Sequence, residues 1–87
     1  MCFDAAMPEN AYVRQICENV ARLLRKERER KRLSLAAVGK RAGLSARMIW
    51  YVERGQRYPS MNSFLRIASA LEFDPVKILT RAEKLRG

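Results

Sequence analysis

Apolar residues recur along the chain at intervals of three and four, and each series is bounded by a residue that starts or stops a helix. Val13, Ile16, Cys17, Val20 and Leu24 follow the i, i+3, i+4, i+7 spacing of an amphipathic helix, predicted over residues 11–31. Ser34 can cap a second helix running through Ala42, with Gly43 placed to end it in a left-handed conformation. Ser45 caps a third, which ends at Gly55, and Pro59 marks the loop beyond. Ser60 caps a fourth whose apolar face is Met61, Phe64, Leu65, Ala68 and Leu71. Asp74-Pro75 opens a fifth, with Asp as cap and Pro at the first helical position, where its missing N–H is no loss; Ile78, Leu79, Ala82 and Leu85 are expected to face inward. The punctuation gives five helices and no strand, so the fold class is all-α.

Residue sizes across positions 35–52 obey a tighter rule. Two short helices joined by a turn of three or four residues cross near a right angle, so the first needs a small residue where the second approaches. Gly39 stands there, Gly43 supplies the positive φ of the turn, and Val38, Ala42, Leu44, Ile49 and Val52 provide the shared apolar core. Small, turn and apolar positions agree on a helix-turn-helix, which is more specific than any one of them alone.

Charge then points to a partner. Eighteen Lys and Arg against nine Asp and Glu leave +9, which favours an anionic partner. The excess is uneven: residues 20–32 hold seven basic residues against Glu27 and Glu29, whereas residues 1–19 hold Arg14 against Asp4, Glu9 and Glu18. The acidic start reads as a flexible arm over residues 1–10, with a single helix-turn-helix domain over 11–87. The basic run 25–32 is either a solvated face laced by Glu and Arg neighbours or, in part, a phosphate contact.

The same inventory narrows the chemistry. There is no His, the usual general acid-base group near neutral pH. Cys2 and Cys17 have fourteen residues between them, with no CxxC spacing for a zinc site and no disulfide framework. No phosphate loop or acid pair forms a recognisable constellation, so no enzyme, no metal and no cofactor is expected. No apolar run approaches a bilayer span and the first ten residues lack a signal-peptide pattern, which gives no membrane partner and a cytoplasmic location.

The stretch Leu33-Ser34 through Ala42-Gly43-Leu44-Ser45, followed by Ile49, Val52-Glu53-Arg54-Gly55, Pro59-Ser60 and Ile67-Ala68-Ser69-Ala70-Leu71, resembles the phage repressor/Cro family of five-helix DNA-binding domains, also called XRE-like regulators. The resemblance covers about residues 16–80. It implies double-stranded DNA as partner, the third helix in the major groove, the second across the backbone, and a homodimer on a roughly palindromic operator. It further implies a dimer interface near the loop after the third helix and the fifth helix, where Tyr58, Phe73, Val76 and Ile78 are candidates, with core filling as the alternative for Ile78. Arg28 and Glu53 match a family pair that ties the first helix to the end of the third. Leu35 replaces a Gln that touches phosphate in many relatives. Arg32 and Glu72 occupy helix ends where relatives often carry Gly, which implies positive φ at a cost on the order of 1 kcal/mol.

Helix geometry nominates the contacts. With Ile49 and Val52 facing the core, Ala46, Arg47, Trp50, Tyr51 and Arg54 occupy the opposite and flanking faces. Arg47 can take O6 and N7 of guanine together or hold a phosphate, and Ala46 can offer a methyl to thymine. Trp50 and Tyr51 depart from the small, amide or charged residues usual in the family; base and phosphate contact, a protein-binding patch, and packing against the arm compete for them. Ser34, Lys40, Ser45, Arg54, Gln56 and Arg57 lie where helix N-termini and basic side chains favour phosphate, with ordinary capping as the alternative for the two serines.

The leading expectation is a sequence-specific homodimeric transcriptional regulator. An antitoxin-type module that binds a protein partner and represses its own operon is the alternative, with Cys2, Phe3, Met7 and Tyr12 as the segment that folds on that partner. RNA binding ranks below both, because the aromatics lack a sheet platform.

Overall fold

The computed structural model describes residues 10–85, so the arm expected over residues 1–10, including Cys2, Phe3 and Met7, lies outside the described residues except for Asn10. Five helices follow in order: α1 (Ala11–Arg30), α2 (Leu35–Ala42), α3 (Ala46–Glu53), α4 (Met61–Ala70) and α5 (Pro75–Lys84). Each begins at a polar cap whose side chain accepts a backbone N–H: Asn10, Ser34, Ser45, Ser60 and Asp74. Such a cap contributes about 1 kcal/mol by satisfying a donor that no helix bond can reach.

The ends of α1 to α4 follow one scheme. Gly43 and Gly55 adopt φ of 73° and 72°. Gly55 stands after α3 rather than in it: the helix stops at Glu53, and the N–H groups of Gly55 and Gln56 donate to the carbonyls of Val52 and Tyr51. At the ends of α1 and α4 the left-handed position is held by Arg32 (φ 57°) and Glu72 (φ 54°). There Leu33 N–H bonds the Arg28 carbonyl and Phe73 N–H bonds the Ala68 carbonyl, closing the same motif without glycine. Glu72→Gly is therefore expected to raise stability by about 0.5–1 kcal/mol, the relief of the strain less the entropy of the added glycine. Urea denaturation checks it, and an unchanged or lower midpoint would mean that the Glu72 conformation is not strained.

The core brings all five helices together through Leu24, Val38, Ile49, Val52, Ile67, Leu71 and Ile78, each at most 2% exposed. α2 packs on α3 and α4, and α1 packs on α5 and α3. Four of the five apolar positions expected in the helix-turn-helix core are buried, and Leu44 packs against it half-buried. Asn19 is a buried polar residue: its Nδ2 donates to the Ala82 carbonyl at 3.0 Å and its Oδ1 accepts from Gln15 at 3.2 Å, pinning α1 to α5.

The expected inward faces need correction at five positions. Val13, Met61, Leu65, Leu79 and Leu85 are exposed, while Ala21, Ile67 and Ala70 join the core. Helical spacing identifies an apolar stripe, but a short helix buries only the part that a neighbour covers. Met61 and Leu79 stand instead at an open apolar cleft of about 240 Å³ that also meets Ile16, Cys17 and Tyr58.

Candidate DNA-binding surface

The placement of α3 starts at Gly39. A Cβ added there would sit 2.5 Å from the Leu44 carbonyl oxygen and 3.2 Å from the Ala46 nitrogen, both backbone atoms. Only glycine lets the turn come this close. The Gly39 carbonyl accepts the N–H groups of Gly43 and Leu44, the latter at 2.8 Å, so the turn is tied to the helix it leaves.

The far end of α3 is tied to α1. Arg28 Nε donates to Glu53 Oε2 at 2.7 Å and Nη2 to Oε1 at 3.1 Å, while Nη1 donates to the Leu33 carbonyl at 2.9 Å. The two side chains are only 14% and 5% exposed, so the pair is shielded from solvent and salt. The hydrogen bonds that Arg28 donates to Glu53 raise its pKa above the ordinary value, with burial opposing them, and the group is cationic at every pH the fold meets.

With both ends held, Ile49 and Val52 face the core and the remaining faces are set. Arg47 is exposed one residue into the helix; Ala46, Trp50 and Tyr51 are partly buried; Arg54, Gln56, Arg57 and Lys40 are exposed. The aromatics are thus neither core nor fully exposed. Their rings meet edge to face at 5.3 Å, the Arg54 guanidinium lies 4.9 Å from the Trp50 ring centre, and that of Arg57 lies 5.8 Å from Tyr51. The sequence contained a signal for the first of these stacks, since Trp50 and Arg54 are four apart on a helix. The second depends on the loop returning Arg57 to Tyr51, whose carbonyl accepts the Arg57 N–H at 3.3 Å.

Ser34 and Ser45 act as caps, accepting the N–H groups of Ala37 and Met48 at 3.0 Å. A hydroxyl that accepts in this way still carries a proton for a phosphate. The basic run 25–32 is largely committed within the protein. Arg25 pairs with Glu29 and Arg30 with Glu27, and Lys31 donates to the Leu71 carbonyl at the end of α4. The hydrogen bond from Arg30 holds the Glu27 carboxyl below its ordinary pKa, and the same bond raises Arg30. Arg41 joins Lys31 at the α4 terminus, on the Ala70 carbonyl at 3.4 Å, where cations meet the negative end of the helix dipole.

Of the residues nominated for an interface, Tyr58 and Val76 are exposed and Phe73 is partly buried beneath Arg81, 5.4 Å from its ring centre. Ile78 is a correction: it is 0% exposed and fills the core, because the α5 face that carries it is the one packed on the bundle.

A helix-turn-helix domain family matches residues 19–79 of the chain. No curated protein matches. Among solved structures, the restriction-modification controller protein C.AhdI from Aeromonas hydrophila is similar, with 32% identity and a TM-score of 0.67 over 72% of this chain and 94% of that one. No helix among the described residues is long and apolar enough to cross a membrane. With five helices, the close turn at Gly39 and a domain match spanning most of the fold, the chain belongs to the phage repressor/Cro-type helix-turn-helix family of DNA-binding transcription regulators.

Proposed function

We propose that the protein is a controller-type regulator that binds a roughly palindromic operator as a homodimer, with α3 of each copy in the major groove and Arg47 and Ala46 meeting base edges. The observation that carries this is the exposed Arg47 in the first turn of a helix whose opposite face, Ile49 and Val52, is locked into the core. A guanidinium so placed can bond O6 and N7 of one guanine, the pairing that most sharply separates one base from another. Ser34, Lys40, Ser45, Gln56 and Arg57 flank it as phosphate contacts. The similarity to a restriction-modification controller over 94% of that chain's length supports the role at the level of regulator type. Tyr58 and Val76 are the exposed residues of the face proposed for the second copy, and Met61 and Leu79, which line one cleft with Tyr58, add apolar surface to it. A protein of this kind works in the cytoplasm.

Selection of bound sequences from a random duplex library, with affinity then measured for the winner and a scrambled control, tests the reading. Two half-sites about one helical turn apart are expected. Arg47→Ala should weaken the selected site by about tenfold or more and the scrambled duplex much less. Equal losses on both would remove Arg47 from base reading. Binding without enrichment would leave a basic domain whose partner is a protein, as the antitoxin alternative requires.

A further inference from the structure

The geometry points to Trp50 and Tyr51 as positioning residues, which hold the guanidiniums of Arg54 and Arg57 for the DNA phosphate backbone. The inference rests on α3 being the helix that enters DNA, and it assigns the two aromatics a task distinct from meeting bases.

A guanidinium on an exposed arginine samples many rotamers, and binding a phosphate requires most of them to be given up. A ring face beneath it removes part of that freedom beforehand, because the planar cation lies flat on the π-electrons and turns its N–H edge outward. Both arginines have such a support, at 4.9 Å over Trp50 and 5.8 Å over Tyr51. The supports are themselves linked. Trp50 and Tyr51 meet at 5.3 Å with their planes 79° apart, an edge-to-face pair that limits the rotation of each ring. The partial burial of both rings restricts them further. On the Tyr51 side the backbone adds a second restraint, since the Tyr51 carbonyl accepts the N–H groups of Gln56 and Arg57.

Base reading fits these rings less well. A duplex offers base edges in its grooves and keeps base faces stacked, whereas each ring already presents a face to a cation. What remains to approach the DNA is the outward edge of each guanidinium, which is a charge-assisted donor to phosphate oxygen. Arg54 is also the C-cap of α3, where the helix dipole favours a cation.

The test joins a readout without DNA to one with it. In the free protein, the δ-methylene protons of Arg54 and Arg57 should be shifted upfield by ring current. The shift should vanish on Trp50→Leu for Arg54 and on Tyr51→Leu for Arg57, and persist on Trp50→Phe and Tyr51→Phe. Random-coil values in the wild-type protein would overturn the proposal whatever becomes of DNA binding, and they require no variant to fold. On DNA, Tyr51→Leu should weaken the selected and scrambled duplexes alike by about two- to fivefold, the worth of an exposed cation–π contact, and flatten the dependence on salt. Tyr51→Phe should bind as the wild type does. The double variant Tyr51→Leu/Arg57→Ala should be no weaker than Arg57→Ala alone, because the ring acts through the arginine. Additive losses, or a loss confined to the selected sequence, would instead make Tyr51 a direct contact and overturn the inference. Failure of the wild-type protein to bind any duplex, with the ring-current shifts present, would count against the DNA reading and not against the stacks.

Discussion

Glu53→Ala is expected to lower the folding free energy by about 3 kcal/mol, among the largest effects of any single side chain in the molecule. The expectation rests on what is left behind. Arg28 would lose both oxygens of its bidentate partner, at 2.7 and 3.1 Å, and keep only the Leu33 carbonyl. Its side chain, 14% exposed, would then carry a charge that only the Leu33 carbonyl, the more distant Glu29 carboxylate and limited solvent contact compensate. An exposed pair would give a different number, since screening and side-chain entropy reduce such pairs to 0–1 kcal/mol. Thermal unfolding reads the difference: in a domain of this size the loss should lower the Tm by about 10 °C or more. A loss below about 1 kcal/mol would show that Arg28 reaches solvent and that α3 is held from elsewhere. The double variant Arg28→Met/Glu53→Leu should recover much of the deficit, because removing both charges also removes the burial penalty.

The Arg28–Glu53 pair was legible only through resemblance. Nothing in the composition distinguishes Glu53 from the other acidic residues, and twenty-five positions separate it from its partner. Local features fared better. The N-caps Ser34, Ser45, Ser60 and Asp74 and the two turn glycines each state a backbone requirement that few residue types satisfy, so the starts of α2 to α5 and the α2–α3 turn could be placed from sequence, whereas the Asn10 cap of α1 was seen only in the structure. Facing was harder. Met61 and Leu65 share the helical spacing of Phe64 and Ala68, and only the packing of α2 and α5 on α4 decides that the first two remain exposed. Asn19 was missed because a lone amide inside an amphipathic helix looks like surface until its partner, the Ala82 carbonyl on another helix, is known. Lys31 was hidden in the same way, since its place in the basic run 25–32 says nothing of the Leu71 carbonyl it reaches.

At the candidate surface the division is similar. Helix geometry could nominate Arg47, Trp50, Tyr51 and Arg54 from the positions of Ile49 and Val52. The return of Arg57 to the Tyr51 ring needs the loop conformation after Gly55, which sequence spacing does not give.

Gly39→Ala carries the second large expectation, a net loss of about 2 kcal/mol together with weaker operator binding. Two effects oppose each other. Alanine inside a helix gains about 1 kcal/mol over glycine in backbone propensity, and by that measure alone the variant should be more stable. The added methyl, however, would meet the Leu44 carbonyl oxygen at 2.5 Å, with the Ala46 nitrogen and the Ser45 carbonyl carbon each at 3.2 Å. All three are backbone atoms, so no rotamer change can make room and the turn itself must move. Overpacking of this kind costs about 1–3 kcal/mol or more, and a contact made wholly with backbone belongs at the upper end. The turn cannot move alone, because Leu44 N–H is bonded to the Gly39 carbonyl and Ser45 caps α3. Displacement therefore passes to the N-terminal end of α3, where Arg47 lies, while Arg28 and Glu53 hold the other end. The helix should tilt rather than translate, and affinity for the selected duplex should fall by more than affinity for a scrambled one. Denaturation and paired binding measurements check both parts. A variant as stable as the wild type would mean that α2 and α3 can separate at little cost, and the close turn would then lose its place as the feature that sets α3.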